Sequence, residues 1–198
     1  MNDDLSCFLE KYTDSPEFLL SHFKDVISYA EYEPNHFLTK AGEYPKHFFI
    51  ILTGIARSFV INEKGINTTR TFFTTGDITG SNSAMMQNIP SEVNYQTLTK
   101  VTCYVGDFHK LIELTLKYKE FSLFYIKTLE QGYLKAEEVL LNISTLNATE
   151  RYLELRKKIP NIDNLITQRN IASYLNISPV QLSRIRKKLL KEKNLNIC

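Results

Sequence analysis

The spacing of apolar side chains changes along the chain, and each spacing predicts a different kind of element. From Tyr29 to Val105, short runs rich in Thr, Phe, Tyr, Ile and Val are separated by glycines, which is typical of short strands joined by turns. From about Lys110 onwards, apolar residues recur every three or four positions, which predicts helices. The sequence therefore predicts an α+β protein, with an N-terminal double-stranded β-helix or jelly-roll barrel followed by helices.

Within the β-rich part, the ranges 47–52, 56–61 and 68–73 are each predicted to form a strand. The residues 62–65, Asn-Glu-Lys-Gly, are typical of a hairpin loop between two of these strands. An earlier helix is predicted to begin at Asp14–Glu17, where an acidic residue and a serine precede a proline.

A long helix is predicted over about 110–143, and it carries a narrow apolar stripe. Gly132 lies beside the stripe in mid-helix and costs about 1 kcal/mol relative to Ala, so close helix contact would be a plausible compensation. A stripe of this spacing is typical of the seam between two helices, although it could instead pack on the barrel. Phe121, Phe124 and Tyr125 form a second apolar set that could face the barrel. The predicted dimer seam consists of Ile126, Leu129, Tyr133, Ala136, Leu140 and Ile143.

The residues 168–188 have the pattern of a helix-turn-helix. Thr167 is a good N-cap for a first helix over 168–175, and Asn176 tolerates the left-handed conformation that the turn requires. Ser178 followed by Pro179 predicts the start of a second helix, because a capping hydroxyl precedes a proline at the first helical position. This motif predicts double-stranded DNA as the ligand.

Apolar residues on both helices are spaced to interlock, and Ala172 is small where the two helices would cross. The second helix then turns a polar and basic face outward, where Gln and Arg could bond base edges in the major groove. The alternative is a plain helical hairpin with a solvated basic face. The predicted DNA-binding residues are Thr167, Gln168, Arg169, Ser178, Val180, Gln181, Ser183, Arg184, Lys187 and Lys188.

The charge distribution supports a polyanionic partner for the C-terminal part only. Residues 1–142 carry 13 Lys and Arg against 18 Asp and Glu, whereas residues 143–198 carry 11 against 4, so the net charges are −5 and +7. The cluster from Arg184 to Lys193 carries most of the positive charge. We predict an effector domain over 1–143 and a DNA-binding domain over 144–198, joined by a hinge-like break at 144–147.

Candidate catalytic chemistry is sparse. The three cysteines are widely separated and have no metal-ligand spacing, and no His-x-His or His-Glu-x-x-His pattern is present. A barrel enzyme of the cupin type would need clustered His and carboxylate ligands, which His36 and His47 do not supply. We therefore predict neither an enzyme nor a metal site. No apolar run predicts a signal peptide or a membrane span, so a cytoplasmic protein is expected.

The ordered motifs resemble those of the Crp/Fnr transcription regulators. In the barrel, the resemblance rests on 44–54 and on Thr75–Gly80, whose Gly-Asp-x-x-Gly pattern is similar to the entry of the family's phosphate cassette. In the C-terminal part it rests on 148–152 and on 171–189. The resemblance implies a cyclic-nucleotide-binding-like roll, a dimerisation helix and a winged helix-turn-helix. It also implies a homodimer that binds a near-palindromic operator and contacts RNA polymerase.

Two departures from the family pattern change what the resemblance implies. Cyclic-nucleotide binders of this kind have Glu after the cassette glycine and an Arg about ten residues later, but here Ser81 and Ser91 stand at these positions. Cyclic AMP is therefore not expected to bind, and Glu92 would repel a phosphate. The family's wing is expected to be absent or reduced to 195–197. A small effector of another kind could use a pocket at Gly80, Ser81, Asn82, Ser83, Ser91 and Glu92.

A competing interpretation is a ligand-sensing or protein-interaction module whose helix-turn-helix contacts protein rather than DNA. The basic C-terminal part argues against it, because a polyanion is the partner that such a charge distribution favours. No cofactor is predicted under either interpretation.

Overall fold

A computed structural model of the chain describes residues 2–195 and the side chains of residues 5–192. Its strands are β1 (Ile27–Tyr32), β2 (Phe37–Thr39), β3 (His47–Thr53), β4 (Ala56–Ile61), β5 (Asn67–Phe73), β6 (Ile78–Thr79), β7 (Asn94–Thr97) and β8 (Val101–Asp107). Its helices are α1 (Asn2–Leu9), α2 (Pro16–Phe23), α3 (Asn82–Gln87), α4 (Phe108–Lys117), α5 (Lys119–Thr145), α6 (Ala148–Lys158), α7 (Ile162–Leu165), α8 (Gln168–Tyr174) and α9 (Pro179–Leu195). The predicted α+β class is confirmed: a β-rich part, preceded by α1 and α2 and interrupted by α3, is followed by the helices α4 to α9.

The strands form two four-stranded sheets, ordered β1-β8-β3-β6 and β2-β7-β4-β5. In the first sheet, β8 pairs antiparallel with β1 and β3, and β3 also pairs antiparallel with β6. The three strands predicted at 47–52, 56–61 and 68–73 correspond to β3, β4 and β5. The predicted hairpin loop at 62–65 is also present, and Asn62 closes it through a hydrogen bond from Gly65 N to its carbonyl (2.9 Å).

Strand β3 is buried on both faces, which explains its continuous apolar run. Phe48 and Ile50 pack into a cluster with helices α1, α2, α4 and α5 on the outer face of the sheet. Phe49 and Ile51 point the opposite way and pack with Val101 and Cys103 inside the roll. Cys103 is completely buried there, and this burial raises the pKa of its thiol to about 11.

The helix predicted over about 110–143 is two helices, α4 and α5, because Tyr118 between them has an extended backbone. Helix α5 also continues to Thr145, so the predicted break at 144–147 is confined to Leu146 and Asn147. The hydroxyls of Ser144 and Thr145 donate to Leu140 O (2.9 Å) and Leu141 O (2.8 Å), and these bonds within the helix accommodate two residues that usually favour helix ends.

The described chain forms two compact units, and they divide it differently from the predicted domains. The first unit contains the residues up to Ser58 and Phe72–Glu138, and the second contains Phe59–Thr71 and the residues from Val139 onwards. Helix α5 is continuous across the division between Glu138 and Val139. No break in the helical pattern of the sequence therefore marks this boundary. The predicted domain boundary near residue 144 stays a prediction.

The second unit has a small helical core built from α6 to α9. Its buried residues include Tyr152, Ile162, Ile171 and Leu182. Helix α6 begins with a capping box in which Asn147 and Glu150 bond each other's backbone. The short helix α7 connects α6 to the first helix of the helix-turn-helix pattern.

Candidate nucleic-acid interface

The two predicted helices and their turn are present at the predicted positions. Thr167 caps α8 by accepting a hydrogen bond from Asn170 N (3.3 Å), and α8 begins at Gln168 and ends one residue earlier than predicted. Asn176 has a φ of 55°, the left-handed conformation that the turn requires. Ile177 N then donates to Ala172 O (3.0 Å), which holds the turn against the end of α8.

Helix α9 begins with a reciprocal cap between Ser178 and Gln181. Gln181 N donates to Ser178 Oγ (3.2 Å), and Ser178 N donates to Gln181 Oε1 (2.9 Å). The serine was predicted as the cap, but Gln181 was predicted only as a base-reading residue. Because its carbonyl oxygen serves the cap, its amide N–H groups are the part of the side chain that remains for a ligand.

The helix pair buries one face and exposes the other. Ile171, Ala172, Leu175 and Leu182 are almost completely buried, and the burial of Ala172 fits the predicted close approach of the two helices. Ser183 is half-buried. The remaining predicted DNA-binding residues are exposed: Thr167, Gln168, Arg169, Ser178, Val180, Gln181, Arg184, Lys187 and Lys188.

Arg186 differs from the other basic residues of α9, because it belongs to an internal polar cluster. Its Nε lies 3.5 Å from Asp163 Oδ1, and Arg156 Nε lies 3.5 Å from the other carboxylate oxygen. Tyr152 donates to the same carboxylate at 2.8 Å. Burial, and next the hydrogen bond to Asp163, raise the pKa of Tyr152 to about 12. Sequence reasoning placed Arg186 in the basic cluster and missed Asp163, whose partners are up to 23 residues away.

A second arginine, Arg151, also has an internal role. Its guanidinium donates to Leu146 O (2.7 Å) and to Leu175 O (3.0 Å), so it binds carbonyl groups near the ends of α5 and α8. Such carbonyls lack partners within their own helices, and a cation there is favourable. The net positive charge of the C-terminal part therefore includes two arginines, Arg151 and Arg186, that stabilise the helical unit itself.

The hairpin segment Phe59–Thr71 contacts the first helix of the motif within the second unit. The Ser173 hydroxyl accepts from Thr69 N (2.8 Å) and donates to Asn67 O (2.9 Å). A side chain on α8 thus bonds two backbone groups at the start of β5. The sequence distance of more than 100 residues explains why no local pattern predicted this contact.

The predicted effector pocket contains a hydrogen bond between two buried serines. Ser81 Oγ and Ser91 Oγ lie 2.8 Å apart, and Ser91 Oγ also lies 2.7 Å from Val93 O. Both side chains are buried, whereas Asn82, Ser83 and Glu92 are exposed. The two positions where the family pattern expects a carboxylate and a guanidinium thus bond to each other.

Gly80 precedes these serines with a φ of 149°, and a Cβ there would lie 3.2 Å from His47 O.

Among the described residues, the one buried basic side chain is Arg57, in β4, and its Nη2 donates to Gln96 Oε1 (3.0 Å). Burial lowers the pKa of Arg57. The exposed side chain of Arg70, in contrast, lies on β5.

The apolar residues of α5 divide between two faces. Phe121 and Phe124 are buried in the outer cluster of the roll, and Tyr125 packs against that cluster, as the second apolar set was expected to do. In the single chain, the six residues of the predicted seam lie outside this core. Leu129 is half-buried, and the other five are exposed: Ile126, Tyr133, Ala136, Leu140 and Ile143.

In the part of the chain that the structure describes, no helix is both long and apolar enough to cross a membrane. Among the same residues, no group of three or more His, Cys, Asp and Glu side chains is arranged to hold a metal ion. Of the predicted reduced wing at 195–197, Leu195 is the last residue of α9. The other two residues lie outside the described range.

Comparison with known proteins identifies the β-rich part and the fold. Residues 29–118 match the cyclic nucleotide-binding domain family. No curated protein is similar enough in sequence to match the chain.

Several solved structures are similar over most of the chain. FixK2 from Bradyrhizobium japonicum has a TM-score of 0.72 at 16% identity, covering 85% of this chain and 86% of its own. CLP, a c-di-GMP-responsive global regulator from Xanthomonas campestris, has a TM-score of 0.69 at 12% identity, covering 89% and 93%. A protein from Eubacterium rectale that is assigned to the Crp/Fnr family of transcriptional regulators has a TM-score of 0.72 at 11% identity, covering 92% and 88%. The resemblance seen in the sequence is confirmed at the level of domain and fold.

Proposed function

We propose that this chain, which contains a cyclic nucleotide-binding-type domain and has the Crp/Fnr fold, is a transcription regulator that binds double-stranded DNA through helix α9. The observation that carries the proposal is the two-sided character of this helix. Leu182 is fully buried against the helical core, while Val180, Arg184 and Lys187 are exposed on the same helix. A helix anchored on one face and basic on the other can enter the major groove.

Within this proposal, the exposed residues of α9 have different roles. Arg184 reads a base, and guanine suits it best because the two major-groove acceptors of guanine match a guanidinium. Lys188 contacts phosphate, since a lysine one turn further along the helix positions the protein rather than reading a sequence. The Lys188 Nζ lies 3.8 Å from Glu192 Oε1 in an exposed ion pair. A DNA phosphate can replace the carboxylate as its partner at little cost.

The active form is a homodimer through the exposed stripe of α5. Apolar side chains as exposed as Leu140 (66%) and Tyr133 (67%) are costly in water, and pairing two stripes removes them from it. A two-fold dimer presents two α9 helices, so the operator is a near-palindrome with half-sites about 10 base pairs apart. As a regulator of transcription it would also contact RNA polymerase.

Cyclic AMP is not the effector. A cyclic phosphate needs a counter-charge when it is buried, and the serine pair Ser81 and Ser91 supplies none. The two hydroxyls also use each other as partners, so a ligand would have to break their hydrogen bond.

The proposal is tested by fluorescence anisotropy of the full chain with a labelled duplex of mixed sequence, over a series of salt concentrations. We expect binding that weakens steeply with salt, because Lys and Arg displace counterions from DNA. Lys188→Ala should reduce the slope of log affinity against log salt by about one unit. Lys117→Ala is the matched control, since it removes an exposed lysine from α4 in the other unit.

No binding at low salt, or binding that is indifferent to salt, would contradict the proposal. It would favour the competing interpretation, a sensing or interaction module without DNA binding. An equal loss of slope in Lys117→Ala would also count against α9 as the interface.

A further inference from the structure

The first turn of α9 carries two exposed side chains of different chemistry. Val180 is 61% exposed, and Gln181 beside it is also exposed. Valine is a poorer helix former than alanine, because its branched side chain loses rotamer freedom in a helix. Neither packing against the described chain nor helix propensity therefore explains an apolar, branched residue at this position.

The reciprocal cap fixes the orientation of the Gln181 amide. Because Ser178 N is a donor, the amide atom that lies 2.9 Å from it must be the oxygen. Nε2 is then the end of the amide that is left for a ligand, and this end has donors only. The two-point contact of glutamine with adenine needs the oxygen and the nitrogen on the same base. Holding the oxygen at the cap disfavours this contact and leaves the side chain as a donor.

Arg184 lies on the same face of α9 as these two side chains. It follows Val180 by four residues and Gln181 by three, and residues at these spacings are neighbours on a helix surface. The buried Leu182 lies on the opposite face. With a rise of about 1.5 Å per residue, Arg184 is roughly 5–6 Å along the helix from the first turn, which corresponds to about one to two base pairs.

We propose that Val180 and Gln181 together read a thymine within two base pairs of the base that Arg184 contacts. In the major groove, thymine presents a C5-methyl group and the O4 acceptor side by side. The valine side chain covers the methyl group, and Nε2 of the glutamine donates to O4. Among the four bases only thymine has this methyl group, and cytosine has a donor in place of O4. The inference rests on the proposed function, since it requires α9 to enter the major groove.

The experiment uses the full chain and a duplex selected from a random pool, in which the preferred thymine is replaced. Fluorescence anisotropy compares it with uracil, which lacks only the methyl group, and with 5-methylcytosine, which keeps the methyl group but has a donor in place of O4. We expect uracil to weaken binding about fourfold, the value of one buried methyl group. We expect 5-methylcytosine, paired with guanine, to weaken it by at least about fivefold, the value of a lost base contact.

Two variants separate the two contacts. Val180→Ala, which lacks both γ-methyl groups, should bind thymine and uracil almost equally and still disfavour 5-methylcytosine. Gln181→Glu keeps an oxygen for the cap with Ser178, as in the capping box, but replaces the donor by an acceptor. It should therefore bind 5-methylcytosine better than thymine, because a carboxylate accepts from the N4 amino group of cytosine.

Lys188→Ala is the matched control on the same helix. It should weaken binding to all of these duplexes by a similar factor and keep both ratios, because a phosphate contact carries no sequence information. Gln181→Glu also adds a negative charge close to DNA, so the base preference is compared as a ratio within each variant. Equal melting temperatures of the variants and the unchanged protein show that the fold is kept.

A selected site without thymine within two base pairs of the pair that Arg184→Ala relaxes would overturn the proposal. Equal binding of thymine and uracil would also overturn it, as would a Gln181→Glu variant that still prefers thymine. These three results leave the proposed function intact, because the protein would still bind DNA through α9. Failure to bind any duplex would instead disprove the regulator, and this proposal with it.

Discussion

The contacts of Asp163 predict that removing its charge lowers the free energy of unfolding of the helical unit. Asp163→Asn keeps the shape of the side chain and removes its charge. The carboxylate is only 13% exposed, and it accepts from Tyr152 while it faces Arg156 and Arg186. These partners lie on α6 and α9, so the substitution weakens the connection between α6, α7 and α9.

The expected loss follows from the individual contacts. A hydrogen bond to a charged group contributes about 1 kcal/mol more than a neutral one, and the asparagine keeps only the neutral form. Each arginine pair adds about 0–1 kcal/mol because both arginines are partly in contact with water. Together the contacts predict that the free energy of unfolding falls by about 1–3 kcal/mol.

The assay is urea denaturation followed by far-UV circular dichroism, with hydrogen exchange of α9 amides to locate the effect in the second unit. Glu192→Gln is the matched control, since Glu192 is an exposed carboxylate on α9 and its loss should change stability by no more than about 0.5 kcal/mol. In a Tyr152→Phe background, Asp163→Asn should cost less, because one partner is already gone. Equal stability losses for Asp163→Asn and Glu192→Gln would refute this reasoning.

Three further outcomes are expected. Sedimentation of Leu140→Lys should show monomers, because a charge in the α5 seam would be buried without a partner, and an unchanged dimer would refute the seam. Calorimetry should detect no appreciable binding of cyclic AMP, since Ser81 and Ser91 offer no counter-charge, and micromolar binding would contradict this. Ser173→Ala should speed hydrogen exchange at Thr69 N, whose acceptor it removes, and an unchanged rate would show that the hairpin contact is not maintained in solution.

The predictions that the structure bears out depend on short-range signals. A capping threonine at 167, a left-handed asparagine at 176 and a serine-proline pair at 178–179 each act on the backbone within three residues. The strands were recognisable because an apolar run as continuous as that of β3 requires burial on both faces. Each of these patterns lies within a few neighbouring residues, so a single sequence is sufficient to find it.

The features that were missed depend on contacts between distant residues. The pairing of Arg186 with Asp163 requires α7 and α9 to be folded together, and the segment of α7 is too short to show helical periodicity. The contact between Ser173 and the 59–71 hairpin joins residues about 100 positions apart. At Gly132 the single chain places nothing within 4 Å of the position that a Cβ would take, so the close helix contact predicted there stays a prediction.

The central claim, that a dimer reads DNA through α9, is tested most directly by selection from a random pool of duplexes with the unchanged protein and with Arg184→Ala. The account predicts a near-palindrome with half-sites about 10 base pairs apart. It predicts that Arg184→Ala costs about 1–3 kcal/mol and relaxes the preference at one base pair in each half-site. Enriched sequences without two-fold symmetry, or the same selected sequence for Arg184→Ala, would contradict it.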